Sequence, residues 1–414
     1  MNYPDSVRFL YALGNEIKTA KLGLERISRV LDAFGRPQDR VPIVHVAGTN
    51  GKGSTCAMIE SGLRAAGRRT GLFTSPHLAE PTERIRIEGV PVSAERFTEA
   101  FEQVHAAVER VLDMHTTYFE TVTAMALLVF AEERVDVAVL EVGLGGRLDA
   151  TNVVLPELCV ITPVDFDHEQ YLGRSLEAIA GEKAGILKRG VPAILARQRP
   201  EAARVIEARA AELDIAVTRT AEWEVNELVM GARGSRFRTH GLHIQCPLAG
   251  EHQVENAVTA VASLEQLGTP GAAIESGIAR TRWPGRLEHV SERPVIILDG
   301  AHNPAGARAL AAYLERFYAD RSIRLIFGSM RDKAIDEIAG ILFPRARQVI
   351  VTAPRQARAL APEAFFELLD HPDLRMAPVL EDAMALVRDA GPEEVIVITG
   401  SLFLVAEARA LLVE

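Results

Sequence analysis

The chain is short of cysteine, of aromatic residues and of basic runs, and each shortage closes off a class of protein. Its three cysteines, Cys56, Cys159 and Cys246, are scattered and odd in number, which suggests neither a disulfide framework nor a zinc site. A reducing cytosol is the expected setting. The formal net charge is −10 and no sustained stretch of lysine and arginine occurs, so no nucleic-acid partner is expected, because a phosphate backbone needs a basic surface. Aromatic residues make up 6% against 48% hydrophobic overall, an ordinary balance for a water-exposed globular chain. No apolar run is long enough to cross a bilayer; the longest, TAMALLVFA, reads as a buried helix, and no membrane partner is expected. The opening MNYPDSVRFLYALGNEIK is amphipathic and charged, without the apolar core and small-residue cleavage site of a secretory signal, which again points to the cytoplasm.

What is there is a chain of 414 residues, long enough for two domains with separate cores, organised around VPIVHVAGTNGKGS at Val41 to Ser54. Ile43, Val44, Val46 and Ala47 read as a buried strand. Cys56, Ile59, Leu63 and Ala66 recur at helical spacing until Gly67 ends the helix. Between them lies a turn dense in glycine, and Gly48, Gly51 and Gly53 are expected to take positive φ so that successive N–H groups face phosphate oxygens. Lys52 adds a mobile charge, Ser54 can coordinate Mg²⁺, and the helix that follows presents the positive end of its dipole. The spacing Gly48-x-x-Gly51-Lys52-Gly53-Ser54 is shorter than the general phosphate loop, so the match rests on its strand-and-helix context. Three glycines alone would mean an ordinary αβ turn; a lysine and a hydroxyl between strand and helix favour phosphate.

Taken in order, residues 1–36 look helical, and a strand at Thr70 to Thr74 ends in Ser75-Pro76-His77-Leu78 before ERIRIEG, a loop expected at the carboxyl edge of a sheet. A long helical stretch with Tyr118-Phe119-Glu120 near its middle leads to VDVAVLEVG and then to LCVITPV, unbroken apolar runs that imply parallel strands covered on both faces. Glu141 closes the first of these strands and His168 follows the second; adjacent parallel strands would bring both to the edge that carries the phosphate loop. Alone, Glu141 is a salt-bridged acid and His168 a loop histidine. Beside a phosphate loop the pair points to Mg²⁺, although imidazole is unusual for so hard a cation, and the residues alone leave the assignment open. GLGGRLDATN is a second glycine-rich turn expected to expose Arg147 and Asp149, and Lys183, next to Glu182, reads by default as an exposed, ion-paired lysine. From about Glu201 to Gly250 the pattern is alternating and antiparallel-like, and HQVENAVTAVASLEQLG then forms a helix with Asn256 in its first turns. Pro284-Gly285 interrupts the chain before PVIILDG, IRLIFGS, RQVIVTA and EEVIVITGS alternate with helices, a smaller doubly wound α/β unit. In its first turn Asn303 is a helix cap and Pro304 a first-turn residue, which leaves Asp299 and His302 without a structural reason.

GTNGKGS, SPHL…ERIRIEG, TYFE, EVGLGGRLDATN, the isolated His168, EKAGILK, WPGR, DGAHNP and the late TGS, in this order, resemble the folylpolyglutamate synthases. Within them the match is to the bifunctional dihydrofolate synthase/folylpolyglutamate synthase group of the Mur ligase superfamily, over nearly the whole chain. The resemblance implies an α/β fold: an N-terminal P-loop ATPase domain with a mainly parallel sheet and a folate site over 1–286, and a smaller Rossmann-like glutamate-ligase domain over 294–414. It implies ATP-dependent addition of L-glutamate to dihydropteroate or to the tail of a reduced folate by a monomer. ATP contacts fall on Thr49, Asn50, Gly51, Lys52, Gly53 and Ser54, and on Asn256, Arg286 and Asp299. Mg²⁺, two ions by expectation, falls on Ser75, Glu141 and His168, and on Lys183 as a carbamate. Lys52, Lys183 and His302 are the catalytic candidates. Pterin-side contacts fall on Ala20, Lys21 and Leu22, on Thr116, Thr117, Tyr118 and Phe119, and on Leu148, Asp149 and Ala150. Closure about the Trp283 to Pro294 connection would exclude water. Two alternatives stand beside this reading: another amino-acid ligase of the superfamily, and a non-ligase nucleotide switch. A peptidoglycan-precursor ligase would carry a nucleotide-sugar domain before its phosphate loop, where this chain has 47 residues before Gly48.

Overall fold

The computed structural model describes residues 1–14, 23–112, 115–368 and 371–413. The apolar runs IVHVA and VAVLE become fully buried strands at the centre of an eight-stranded sheet. Its strands are β1 (Ile43–Ala47), β2 (Thr70–Phe73), β3 (Ile85–Ile87), β4 (Val90–Pro91), β5 (Val137–Glu141), β6 (Leu158–Ile161), β7 (Ala193–Leu195) and β8 (Val217–Arg219), in the order β4-β3-β2-β5-β1-β6-β7-β8. From β2 to β8 every pairing is parallel, as unbroken hydrophobicity requires when helices cover both faces. ERIRIEG does not leave as a loop: β3 turns back antiparallel on β2 and β4 follows it, capping that edge.

One face of this sheet is covered by the helices Tyr3–Ala12, Glu25–Ala33, Ala94–Ala106 and Tyr118–Glu132, which share one apolar core with Phe73, Phe97, Phe101 and Phe130. The TAMALLVFA helix is buried, as its composition demands. TYFE sits at the start of that helix rather than mid-helix, because Thr117 and Glu120 form a capping box, with the Thr117 N–H donating to the Glu120 carboxylate at 2.8 Å. A second correction concerns Glu201 to Gly250. Pro200–Leu213 is a helix, since PEAARVIEARAAEL is rich in alanine and glutamate, and antiparallel pairing begins only with β9 (Asn226–Gly231) and β10 (Gly234–Thr239). With β11 (Leu242–Cys246) these form a three-stranded sheet.

The last third builds a six-stranded sheet from β12 (Glu288–Glu292), β13 (Val295–Leu298), β14 (Ile323–Phe327), β15 (Gln348–Val351), β16 (Leu374–Met376) and β17 (Val395–Thr399), in the order β12-β13-β17-β14-β15-β16. The Trp283 to Pro294 connection contributes β12, paired antiparallel to β13; β16 was likewise not marked in the pattern. By Cα proximity the chain forms two compact units. One holds Met1–Val225, Thr239–Ile244 and Glu255–Thr281, the other Asn226–Arg238, Gln245–Val254 and Arg282–Glu414. No helix among the described residues is long and apolar enough to cross a membrane.

Candidate active site

At the carboxyl end of β1 the backbone has no room for a side chain. A Cβ on Gly48 would lie 1.8 Å from the Thr162 hydroxyl, and one on Gly51 would lie 2.2 Å from Asn256 Oδ1, with both glycines at positive φ. Gly53 departs from expectation: it is already inside the helix Lys52–Ala65, which begins at Gly51 as N-cap. The loop amides depart too, since the Thr49 and Asn50 N–H groups both donate to the Pro163 carbonyl, at 2.9 and 3.2 Å. The donors this site presents to an anion are therefore those that open the helix, the N–H groups of Lys52 and Gly53 in its first turn. The Thr49 hydroxyl ties the loop to the Asp165 backbone, donating to its carbonyl at 3.0 Å and accepting its N–H at 3.1 Å.

Two lysines lean on this loop. Lys52 Nζ donates to the Thr49 carbonyl at 3.1 Å, and Lys183 Nζ donates to the Gly48 carbonyl at 2.7 Å. Lys183 is buried rather than exposed, and the carboxylate beside it in sequence, Glu182, is engaged by Arg147 at 2.8 Å. Burial first, then the Lys52 charge, pushes the Lys183 ammonium down to about 7, against an opposing pull from Asp167 and Asp149.

The metal candidates reach the same sheet edge by a different route than expected. β5 and β6 are not neighbours; β1 lies between them, with Val46 paired to Glu141 on one side and Ala47 to Ile161 on the other. Glu141 is buried, and one carboxylate oxygen accepts the Ser75 N–H at 3.0 Å. His168 follows β6 at positive φ, its ring 3.7 Å from Asp167. Among the described residues no group of three or more His, Cys, Asp or Glu side chains is gathered for a metal ion. The oxygen donors Glu141 and Ser75, side by side at the strand ends, are chemically suited to a hard divalent cation.

The pterin-side candidates separate into two groups, with Ala20, Lys21 and Leu22 outside the described residues. Phe119 packs on Phe73 and against Gly143, where a Cβ would come within 2.5 Å of its ring. Tyr118 is buried; Tyr11 stacks on it at 5.8 Å and the Arg84 guanidinium lies 5.1 Å from its centroid. Arg84 Nε donates to His77 Nδ1 at 2.7 Å, and burial together with that charge pushes His77 down to about 3. Thr116 joins Phe9, Phe101 and His105 around a cavity of about 300 Å³, while Thr117 is spent as a helix cap. Leu148 accepts the Gly23 N–H through its carbonyl, at 3.4 Å, and Ala150 is buried. Asp149 is buried, not exposed: it accepts the N–H groups of Gly143, Leu144 and Thr151 at 3.1, 2.9 and 3.0 Å, and the Thr151 hydroxyl. Burial raises its pKa, and these donors oppose the rise.

In the second unit the turn after β13 is organised by a carboxylate. Asp299 is buried and accepts the N–H groups of Leu287 at 2.9 Å and Ala301 at 3.0 Å; burial raises its pKa and Arg286 pulls it back. A Cβ on Gly300 would lie 2.3 Å from Arg286, so glycine lets the guanidinium lie across the turn. His302 Nδ1 donates to the Gly300 carbonyl at 2.8 Å, which makes Nε2 its acceptor in the neutral ring. Asn303 caps the helix Pro304–Tyr318 through the Gly306 N–H at 2.8 Å.

Comparison with known proteins bears directly on this geometry. A family model described as the Mur ligase middle domain matches residues 46–264, and another, the Mur ligase glutamate ligase domain, matches residues 285–402. The chain is 38% identical to the dihydrofolate synthase/folylpolyglutamate synthase of Mycobacterium tuberculosis, over 94% of this chain and 89% of that one. It is 36% identical to the folylpolyglutamate synthase of Lacticaseibacillus casei, over 100% and 99%. The Mycobacterium tuberculosis folylpolyglutamate synthase solved with ADP and AMPPCP superposes with a TM-score of 0.92 at 36% identity, covering 100% of this chain and 99% of that one. The chain belongs to the dihydrofolate synthase/folylpolyglutamate synthase family of Mur ligases.

As a Mur ligase, its middle-domain match carries the phosphate loop, Glu141, His168, Lys183 and Asn256, and its glutamate-ligase match carries Arg286, Asp299 and His302. Two histidine environments, one buried and one half-buried, escaped the sequence reading. His45 lies in β1 with no exposed surface, and burial pushes it down to about 3. His252 stands near Gly250 and Arg286, and burial with that charge pushes it down to about 4. For His45 the signal was present: a polar ring in an otherwise apolar strand must find a hydrogen bond inside the protein.

Proposed function

We propose that this Mur ligase joins the amine of L-glutamate to a carboxylate of dihydropteroate, or to the glutamate tail of a reduced folate, with ATP cleaved to ADP and phosphate. The observation that carries this reading is the pair of lysine amines held on the Gly48 and Thr49 carbonyls at a helix start, with a buried carboxylate on the neighbouring strand. A carboxylate is a poor acceptor for an amine, so it must first be activated. Its oxygen attacks the γ-phosphorus in line, ADP leaves, and an acyl phosphate results; Lys52 and the first-turn amides stabilise the charge that moves toward the β-phosphate. Glutamate's amine then attacks the acyl carbon, phosphate leaves, and the amide is formed. The nucleotides named with the related Mycobacterium tuberculosis structure support ATP as the donor.

Ser75, Glu141 and His168 would hold Mg²⁺, and such an ion supplies positive charge to the phosphate oxygens. Lys183 suits a carbamate for a reason that does not depend on relatives: addition of CO₂ consumes a neutral amine and releases a proton, and burial provides the neutral amine near pH 7. As a carbamate the residue would become an anion able to hold a second ion. In this reading 1–286 binds ATP and the folate substrate and 294–414 serves glutamate, with His302 as its catalytic candidate, in a cytoplasmic monomer. The test is ADP release with glutamate plus dihydropteroate or tetrahydrofolate, assayed separately. Release that needs glutamate and one of the two pterins is the expected result; release indifferent to glutamate would favour a nucleotide switch.

A further inference from the structure

We infer that His45 is a positioning residue for the ligase reaction, acting through Thr151 and Asp149 to fix the loop that seats Lys183 against the phosphate loop. The inference rests on the reading above for the role of Lys183, and its hydrogen-bond pattern can be tested apart from it. The Thr151 hydroxyl has one proton, and it faces two partners: Asp149 Oδ1, and His45 Nε2 at 2.8 Å. A carboxylate already accepting three N–H groups can only accept the fourth contact, so Thr151 donates to Asp149. Its oxygen must then accept from His45, which fixes the ring as the Nε2–H tautomer and leaves Nδ1 as a buried lone pair. Nδ1 indeed has no hydrogen-bond partner among the described residues. Burial of the whole ring keeps it neutral at any working pH.

From Asp149 the connection runs in two directions. Its other oxygen holds the Gly143 and Leu144 N–H groups, two and three residues after Glu141. The loop itself is clamped to the end of the helix Leu176–Ala184: the Arg147 N–H donates to the Glu182 carbonyl at 2.8 Å, and Asn152 Nδ2 donates to the Arg147 and Gly185 carbonyls at 2.9 and 3.2 Å. The approach leaves no space, since a Cβ on Gly146 would lie 2.8 Å from the Glu182 carbonyl and 3.2 Å from the Lys183 Cα. Lys183 then returns to the Gly48 carbonyl, three residues beyond His45. The circuit closes one residue past the strand where it began. A group that opens it without touching substrate would displace the Lys183 amine and the Glu141 carboxylate from the loop they serve, and misplacements of this size are costly in rate.

Three substitutions separate this from simple core packing. His45→Gln keeps an N–H at the Nε2 position, and His45→Leu fills the space without a donor; Thr151→Val opens the same chain one link on. Each full-length protein is assayed for kcat, for the ATP KM and for thermal melting, and ¹³C-bicarbonate NMR reads carbamate at Lys183. His45→Leu and Thr151→Val are expected to lose kcat roughly 10- to 100-fold with an unchanged ATP KM and a weaker carbamate signal, while His45→Gln stays near wild type. Nitrogen NMR of the wild type, which needs no activity, should find the Nε2–H tautomer of His45 from pH 5 to 8. Equal losses in the Gln and Leu variants that track melting alone, wild-type kcat in Thr151→Val, or an Nδ1–H or doubly protonated His45 would overturn the inference. A wild-type chain without glutamate-dependent ADP release would instead sink the proposed activity and leave the tautomer result standing.

Discussion

In each unit a polar turn follows a strand of the parallel part of the sheet, and the two turns treat charge in opposite ways. After β1, the lysine amines lie on neutral carbonyls, Lys183 at 2.7 Å from the Gly48 oxygen and Lys52 at 3.1 Å from the Thr49 oxygen. After β13, the buried charge is a carboxylate, and Asp299 gives both oxygens to backbone N–H groups that shape the turn. A carbonyl offsets only part of an ammonium's lost hydration, which is why Lys183 falls to about 7. The first turn thus holds its cations in an environment that any phosphate would improve, and the second has committed its anion to structure. Loss of charge should therefore remove chemistry in the first unit and stability in the second.

Five experiments can break or sharpen that contrast, taken from the largest effect down. Lys52→Ala should lower glutamate-dependent ADP release about 1000-fold while thermal melting stays cooperative, because transition-state charge loses its partner. Near-normal turnover in this variant would remove the phosphate-loop assignment. Lys183→Ala should lose most activity, with partial recovery in acetate if a carboxylate is what the site requires.

Lys183 also gives a pH signature in CO₂-free buffer. Its folded pKa is depressed from the usual lysine value of 10.5 to about 7. Between those values the unfolded chain binds more protons, so stability rises with pH there, and below about 7 the full cost of burying the ammonium is present. Lys183→Met should therefore melt above wild type at pH 6, by a margin that closes as pH approaches 10; a constant margin would contradict the buried charge. In the second unit, Asp299→Ala orphans two backbone donors and should cost about 1–3 kcal/mol in urea unfolding. Asn303→Ala removes a single helix cap and should cost about 1 kcal/mol, the smallest of the set.

Much of this was legible in the chain. An apolar pentapeptide, a glycine turn with Lys52 and a helical repeat give strand, loop and helix at β1 in that order, because burial, φ freedom and period 3.6 are local properties. Glu141 stood out for the same reason, as a carboxylate ending a run that can only be buried. Asn303 and Pro304 were read correctly as a cap and first turn, since capping is decided within four residues. Other features were misread where local pattern gave no guidance. Gly53 looked like a turn residue and is helical, and Arg147 and Asp149 looked alike in one turn, yet Arg147 is exposed and Asp149 is enclosed by four donors.

Composition and pattern by themselves settled the α/β class and the parallel strands covered on both faces, because those follow from which side chains leave water and from the reach of a few neighbouring residues. Only the tertiary structure decided that β1 separates β5 from β6, that Lys183 is buried 135 positions away in sequence from the carbonyl it meets, and that His45 serves Thr151 across 106 positions. The state of an ionisable group is set by its solvation and its nearest charges, and these come from chain segments whose proximity no local pattern records.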